Sequence, residues 1–156
     1  MTPTHYYEIA LDWQADRKGI LSSTALNDTI EVATPPEFPQ GMARIWSPEH
    51  LFVATINSCF MTTFLAIAEN SSLEFVHFHS KAVGKLEQVN GKYMISEVTL
   101  FPIVTILHDF DATKVERILK KSEDNCLVSN SVRSKISVKP EIKIGSEAMT
   151  QKVLHV

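Results

Sequence analysis

"SPEHLFVATINSCFMTTFLAIAE", Ser47 to Glu69, is the stretch on which the fold turns. Ser47 is a good N-cap, because its hydroxyl can accept from an amide that the first helical turn leaves without a partner. Pro48 suits the first helical position, where its missing N–H costs nothing. Leu51, Phe52, Val53, Ile56, Phe60, Phe64, Leu65 and Ile67 then fall around the helix rather than along one stripe. That pattern predicts a long central helix covered on most sides. Cys59 lies in its middle.

Strand signals surround this helix. Upstream, "HYYEIALDW" (His5 to Trp13) is rich in strand formers, "DRKG" makes a turn ending at Gly19, and "DTIEVAT" (Asp28 to Thr34) predicts another strand. "PPEFPQG" (Pro35 to Gly41) carries three prolines and a glycine and reads as an ordered loop. Downstream, "FVHFHSKAVGKLEQV" and "KYMISEVTLFPIVTI" flank Asn90-Gly91. Asn-Gly is the strongest short hairpin signal, since both residues tolerate the positive φ of a type I′ turn. Asp111 is expected to cap a second helix with Val115, Ile118 and Leu119 on one face, ending in a solvated "KKSED". "KISVKPEIKI" (Lys135 to Ile144) predicts a half-buried strand that Pro140 places at an edge or bulge. The order implies an α+β fold, antiparallel sheets wrapped around a long central helix, rather than βαβ alternation.

The 156 residues predict one domain, 1–156, with the composition of an ordinary soluble protein (44% hydrophobic, 21% charged). A net charge of −3 provides no basic footprint, so nucleic acid is not an expected partner. "MTPTHYYEIALDW" lacks a cationic segment followed by an apolar run. Asn57, Ser58, Thr62 and Thr63 interrupt the most apolar stretch, so no membrane span is expected either. The expected location is the cytoplasm. Two cysteines, Cys59 and Cys126, are too few for a disulfide scaffold and fit no zinc or CxxC spacing. They are either idle buried thiols or a transient catalytic couple, and composition alone favours the first.

A thiolate, not a thiol, is the nucleophile. Cys59 lies roughly 18 Å along the helix from Ser47, too far for the helix N-terminus to favour ionisation. Burial opposes ionisation, so a cation must come from elsewhere. Arg17, Arg44 and Arg133 are the candidates, and sequence physics does not choose among them. Glu49 by itself is a favourable anion in a first helical turn. His77 and His79 share one strand face without a third ligand at useful spacing, so no metal is expected. Phe52, Phe60 and Met61 are core or interface residues that could also wall a site for an organic peroxide.

"TPPEFPQGMARIWSPEHLFVATINSCF" together with "CLVSNSVRSKISV" resembles the OsmC/Ohr superfamily of thiol-dependent hydroperoxide reductases, and the Ohr branch more closely. Pro48, Glu49 and Cys59 match its Pro-Glu pair and first cysteine; Cys126, Ser129 and Asn130 match its C-x-x-S-N segment; Arg17 matches its early-turn arginine. Leu127 stands where that family commonly has proline. The resemblance implies an OsmC-like fold and an intertwined homodimer. It also implies that Arg17, fixed by Glu49, holds Cys59 as thiolate, and that Cys59 attacks a hydroperoxide to become a sulfenic acid. Cys126 then forms a disulfide with Cys59, and an external dithiol, a thiol reductant protein or a small lipoyl-type molecule, reduces it. No cofactor is implied. Ten residues of continuous helix separate Glu49 from Cys59, about 15 Å and roughly 80° around the axis. Glu49 therefore cannot reach its own Cys59, and two antiparallel copies of the helix would bring them together. Two rival readings remain open, a non-enzymatic small-molecule binder of this fold and a cysteine-based redox sensor.

Overall fold

In the computed structural model, residues 2–145 are described; Met1 and residues 146–156, the ends of the expected 1–156 domain, lie outside them. The chain forms two units that divide between Phe52 and Val53.

The first unit is a three-stranded antiparallel sheet in the order β1 (Ala10–Ala15), β2 (Lys18–Ser22), β3 (Ile30–Ala33). Asp16 makes the β1–β2 turn at φ 48°, a left-handed conformation that aspartate tolerates better than most residues. The first strand starts at Ala10 rather than at the expected His5. Ala10 pairs with Ser22, the last residue of β2, so the residues before it have no strand to bond. Tyr6 and Tyr7 are accordingly almost fully exposed, and Leu11 and Trp13 bare one face of β1. After the proline-rich loop, Trp46 forms a parallel bridge to Val32 and accepts from the Ala33 amide at 2.8 Å. That bond fixes where the chain enters the helix.

The central helix, α1, runs without interruption over Pro48–Asn70. Ser47 caps it as expected, its Oγ accepting from the His50 amide at 3.2 Å. The expectation of cover on most sides is not met within the single chain. Ile56, Phe60, Phe64 and Ala68 form one buried stripe at a spacing of four, while Met61 (38%) and Leu65 (40%) remain exposed. By length and composition alone α1 could cross a membrane.

The second unit explains the buried stripe. Strands β4 (His77–Val89) and β5 (Lys92–Ile106) form a long antiparallel hairpin whose turn has Asn90 at φ 51° and Gly91 at φ 75°, as the Asn-Gly signal requires. Phe78 of β4 meets Phe64 at 4.8 Å and Phe60 at 6.5 Å between ring centroids, and Phe75 meets Phe64 edge-on at 5.5 Å. Gly84 lets helix and strand approach: a Cβ there would lie 2.5 Å from Val53 Cγ2. A short turn at Asp109–Asp111 leads into α2 (Ala112–Asn125), which buries Val115, Ile118, Leu119 and Ser122. Asp111 occupies the cap position but its side chain makes no capping bond, unlike the expectation.

The final strand is two. β6 (Lys135–Val138) and β7 (Glu141–Ile144) pair with successive parts of β5, broken at Lys139–Pro140. Both run parallel to β5, because α2 carries the chain back before β6 starts. The α+β class holds, with parallel pairing added to the antiparallel hairpins.

Candidate active site

Cys59 and Cys126 stand 67 positions apart in the chain, yet Cys59 lies near enough to act on the ionisation of the Cys126 thiol. Both thiols are free. Cys59 is half-buried on α1, one residue before the enclosed Phe60. Two residues upstream, Asn57 Nδ2 donates to the Ser80 carbonyl at 2.9 Å and Ser80 Oγ donates back to Asn57 Oδ1 at 2.6 Å. This reciprocal pair ties α1 to β4 beside the cysteine and fixes the rotation of the helix.

Cys126 is wholly enclosed at the C-cap of α2, with φ −68° and ψ 107°. Burial raises its thiol above the ordinary range. Hydrogen bonds from the Ser129 hydroxyl and the Ser129 backbone amide pull the other way, and Cys59 raises it further. The local chain makes this possible. Val128 returns to helical dihedrals, Ser129–Ser131 form a 3₁₀ turn, and the Asn130 amide closes onto the Cys126 carbonyl at 3.0 Å.

Arg17 and Glu49 belong to the first unit. Arg17 lies exposed in the β1–β2 turn, where its Nε donates to Gln40 Oε1 at 3.0 Å. It borders an open cavity of about 430 Å³ with Leu11, Trp13, Val32 and Pro48. Glu49 makes no ion pair with it in the single chain; Oε2 of Glu49 is buried with no hydrogen-bond partner. A carboxylate oxygen held from water without a donor is costly, and an arginine fork is the chemistry that would relieve it. The other arginines considered, Arg44 (φ 64°) and Arg133, are exposed, as are His77 and His79. Among the described residues no three metal-ligating side chains come together.

Of the residues expected to wall a site, Phe60 is fully enclosed against Phe78 and belongs to the core. Phe52 is half-buried, and Met61 is exposed on the same helix. Three contributors were not singled out from sequence: Gln40, the Asn57–Ser80 pair and the role of Ser129. Ser129 alone had a signal, its position three residues after a cysteine at a helix end. Gln40 and Ser80 are 23 residues from their partners, beyond any local pattern.

Known proteins of similar architecture can be set beside this geometry. An OsmC-like protein of unknown function from Vibrio cholerae superposes with a TM-score of 0.78 at 21% identity, covering 88% of this chain and 99% of that one. An organic hydroperoxide resistance protein from Elizabethkingia anophelis gives 0.70 at 22% identity, covering 92% and 100%. The uncharacterized protein YmaD of Bacillus subtilis is 21% identical over 148 residues, 92% of this chain and 98% of its own. The sequence pattern of the OsmC-like proteins matches residues 41–141, from the glycine closing the proline-rich loop to the first residue of β7, and the chain belongs to that family.

Proposed function

We propose that the protein is a thiol-dependent hydroperoxide reductase that acts on organic hydroperoxides in the cytoplasm. The observation that carries this reading is that the fold brings Cys59 near enough to Cys126 to act on its thiol. Two thiols brought near each other from distant segments, in a chain with no other cysteine, suit a transient disulfide. Cys59 is the half-exposed member and the one a peroxide can reach; Cys126 is enclosed and serves to resolve.

In this mechanism Arg17 favours the Cys59 thiolate and orients the peroxide, and Glu49 fixes the arginine fork. Arg17 Nε is already held by Gln40, which leaves its two terminal amino groups for the carboxylate and the peroxide. The thiolate attacks the distal peroxide oxygen, an alcohol leaves, and Cys59 becomes a sulfenic acid. Cys126 condenses with it to a disulfide, which a dithiol from outside, a reductant protein or a small lipoyl-type molecule, reduces. No metal or organic cofactor takes part. Exposed apolar side chains such as Met61, with half-buried Phe52, favour alkyl hydroperoxides over hydrogen peroxide.

The working unit is a homodimer. α1 is continuous, so Glu49 stands about 15 Å along the axis from Cys59 of the same helix. A second, antiparallel α1 would set the carboxylate of one chain towards the thiol of the other and cover Met61 and Leu65. The test of the chemistry is a count of free thiols after reduced protein meets cumene hydroperoxide. Loss of both thiols within seconds is the expected result, and two thiols that persist would sink the reading.

A further inference from the structure

An apolar stripe holds a helix against a sheet without settling how far the helix is turned about its own axis. Ile56, Phe60, Phe64 and Ala68 follow one another at a spacing of four, about 40° per step, so the stripe winds slowly around α1. Apolar contacts are non-directional, and neighbouring rotations bury nearly the same surface. A reacting sulfur does not tolerate that freedom, since about 1 Å of misplacement can cost about a hundredfold in rate. Something directional has to set the angle.

The contacts of α1 with β4 contain such a device. Val53 comes against Gly84, where a Cβ would lie 2.5 Å from Val53 Cγ2, and this close approach sets the separation of helix and strand. One turn on, Asn57 meets Ser80. Asn57 Nδ2 donates to the Ser80 carbonyl at 2.9 Å, and Asn57 Oδ1 accepts from Ser80 Oγ at 2.6 Å. One residue thus grips the amide at both ends, and neither a turn nor a slide of the helix keeps both bonds. Both residues are half-buried, where a lost partner is not readily replaced by water. Asparagine is also a poorer helix former than alanine, so helix propensity does not account for its place in the middle of α1. Two residues separate Asn57 from Cys59, about 200° around the axis. Anchoring the amide on β4 therefore aims the Cys59 side chain towards the opposite side of α1, away from the sheet.

We propose that Asn57 is a positioning residue for Cys59: clasped by Ser80, it fixes the rotation of α1 at which the Cys59 and Cys126 sulfurs can join. The proposal rests on the hydroperoxide-reductase reading above, in which those two sulfurs close to a disulfide. Asn57 acts through the helix that carries Cys59 and takes no part in bond making.

The test measures how readily the two sulfurs join, without any peroxide. Reduced protein is equilibrated with mixtures of lipoate and dihydrolipoate, remaining thiols are alkylated, and the disulfide fraction is read by intact mass. In this exchange the protein S–S bond forms. Two thiol protons and two electrons pass to lipoate, whose ring S–S bond opens to two thiols. Asn57→Ala is expected to lower the equilibrium constant for the protein disulfide about tenfold, which is about 30 mV towards a more oxidising potential. Ser80→Ala removes the hydroxyl and leaves the carbonyl, and should lower it about threefold. Ser80→Thr keeps a hydroxyl and should restore the wild-type value. A loss of helix stability alone weakens the oxidised and reduced forms together and leaves the potential where it was. Should Asn57→Ala fail to fold, the two Ser80 variants carry the same test. An unchanged potential in Asn57→Ala, or an equal shift in Ser80→Ala and Ser80→Thr, overturns the role. A wild-type protein that forms no Cys59–Cys126 disulfide at any ratio loses this role and the reductase reading together. One that shows the expected shifts yet consumes no hydroperoxide loses the reductase reading alone.

Discussion

The two helices that carry the cysteines are completed in different ways. α2 is amphipathic: Val115, Ile118, Leu119 and Ser122 are buried, and Lys120 meets Glu123 and Asp124 on the solvated face. Its own chain satisfies it. α1 carries apolar residues around most of its circumference and buries one stripe, which leaves Met61 and Leu65 bare. Apolar surface of that kind is what the proposed homodimer would cover. The same contrast extends to the sulfurs. Cys126 lies at a helix end, enclosed where the chain leaves the helix axis. Cys59 lies mid-helix, where every backbone amide is spent on the helix itself, so whatever activates it must be brought from elsewhere.

The largest expected effect separates the two cysteines. Cys59→Ser should abolish hydroperoxide consumption, because the remaining thiol, Cys126, is enclosed and out of a peroxide's reach. Cys126→Ser should complete one turnover and stop at sulfenic or sulfinic acid on Cys59. Intact-mass measurement reads both. Oxidation of Cys126 at the wild-type rate in the Cys59→Ser protein would reverse the assignment of roles.

The next effect concerns the bare face of α1. Inactive Cys59→Ser subunits are unfolded and refolded with impaired Glu49→Ala subunits in equal amounts. In a shared-site dimer half of the randomly reassociated pairs are mixed, and each mixed pair has one intact site. About a quarter of the wild-type activity should return. Activity no higher than the mean of the two parents would mean that each site is built within one chain.

Much of this architecture was legible because it follows from local chemistry. Ser47-Pro48 marks the start of α1, and Asn90-Gly91 marks the hairpin. What escaped depends on contacts distant in sequence. "HYYEIALDW" has strand composition from His5, yet pairing starts only at Ala10, where β2 provides a partner. The period-two pattern of Ile136 to Ile144 is genuine, but it does not encode direction, and β6 and β7 lie parallel on one edge of β5. In the site, chemistry alone made Cys59 a candidate and left three arginines level. Only the family resemblance selected Arg17 and paired Cys59 with Cys126.

The smallest effect tests the starts of the two helices. A good cap residue stands at each, Ser47 before α1 and Asp111 before α2, and sequence rules treat them alike. The structure does not. Ser47 is enclosed and its Oγ accepts from the His50 amide and also contacts His50 Nδ1 at 2.8 Å, whereas the Asp111 side chain makes no capping bond. Ser47→Ala removes a bond that water cannot readily replace at an enclosed site, and should destabilise the protein by about 1 kcal/mol. Asp111→Ala removes only the attraction of a carboxylate for the amino end of α2, worth about 0.3 kcal/mol at low salt and less as salt screens it. Chemical denaturation of both variants at low and high ionic strength distinguishes the two causes. The loss in Ser47→Ala should persist in salt and that in Asp111→Ala should fade. An Asp111→Ala loss as large as that of Ser47→Ala, and equally indifferent to salt, would mean that Asp111 caps α2 in solution after all.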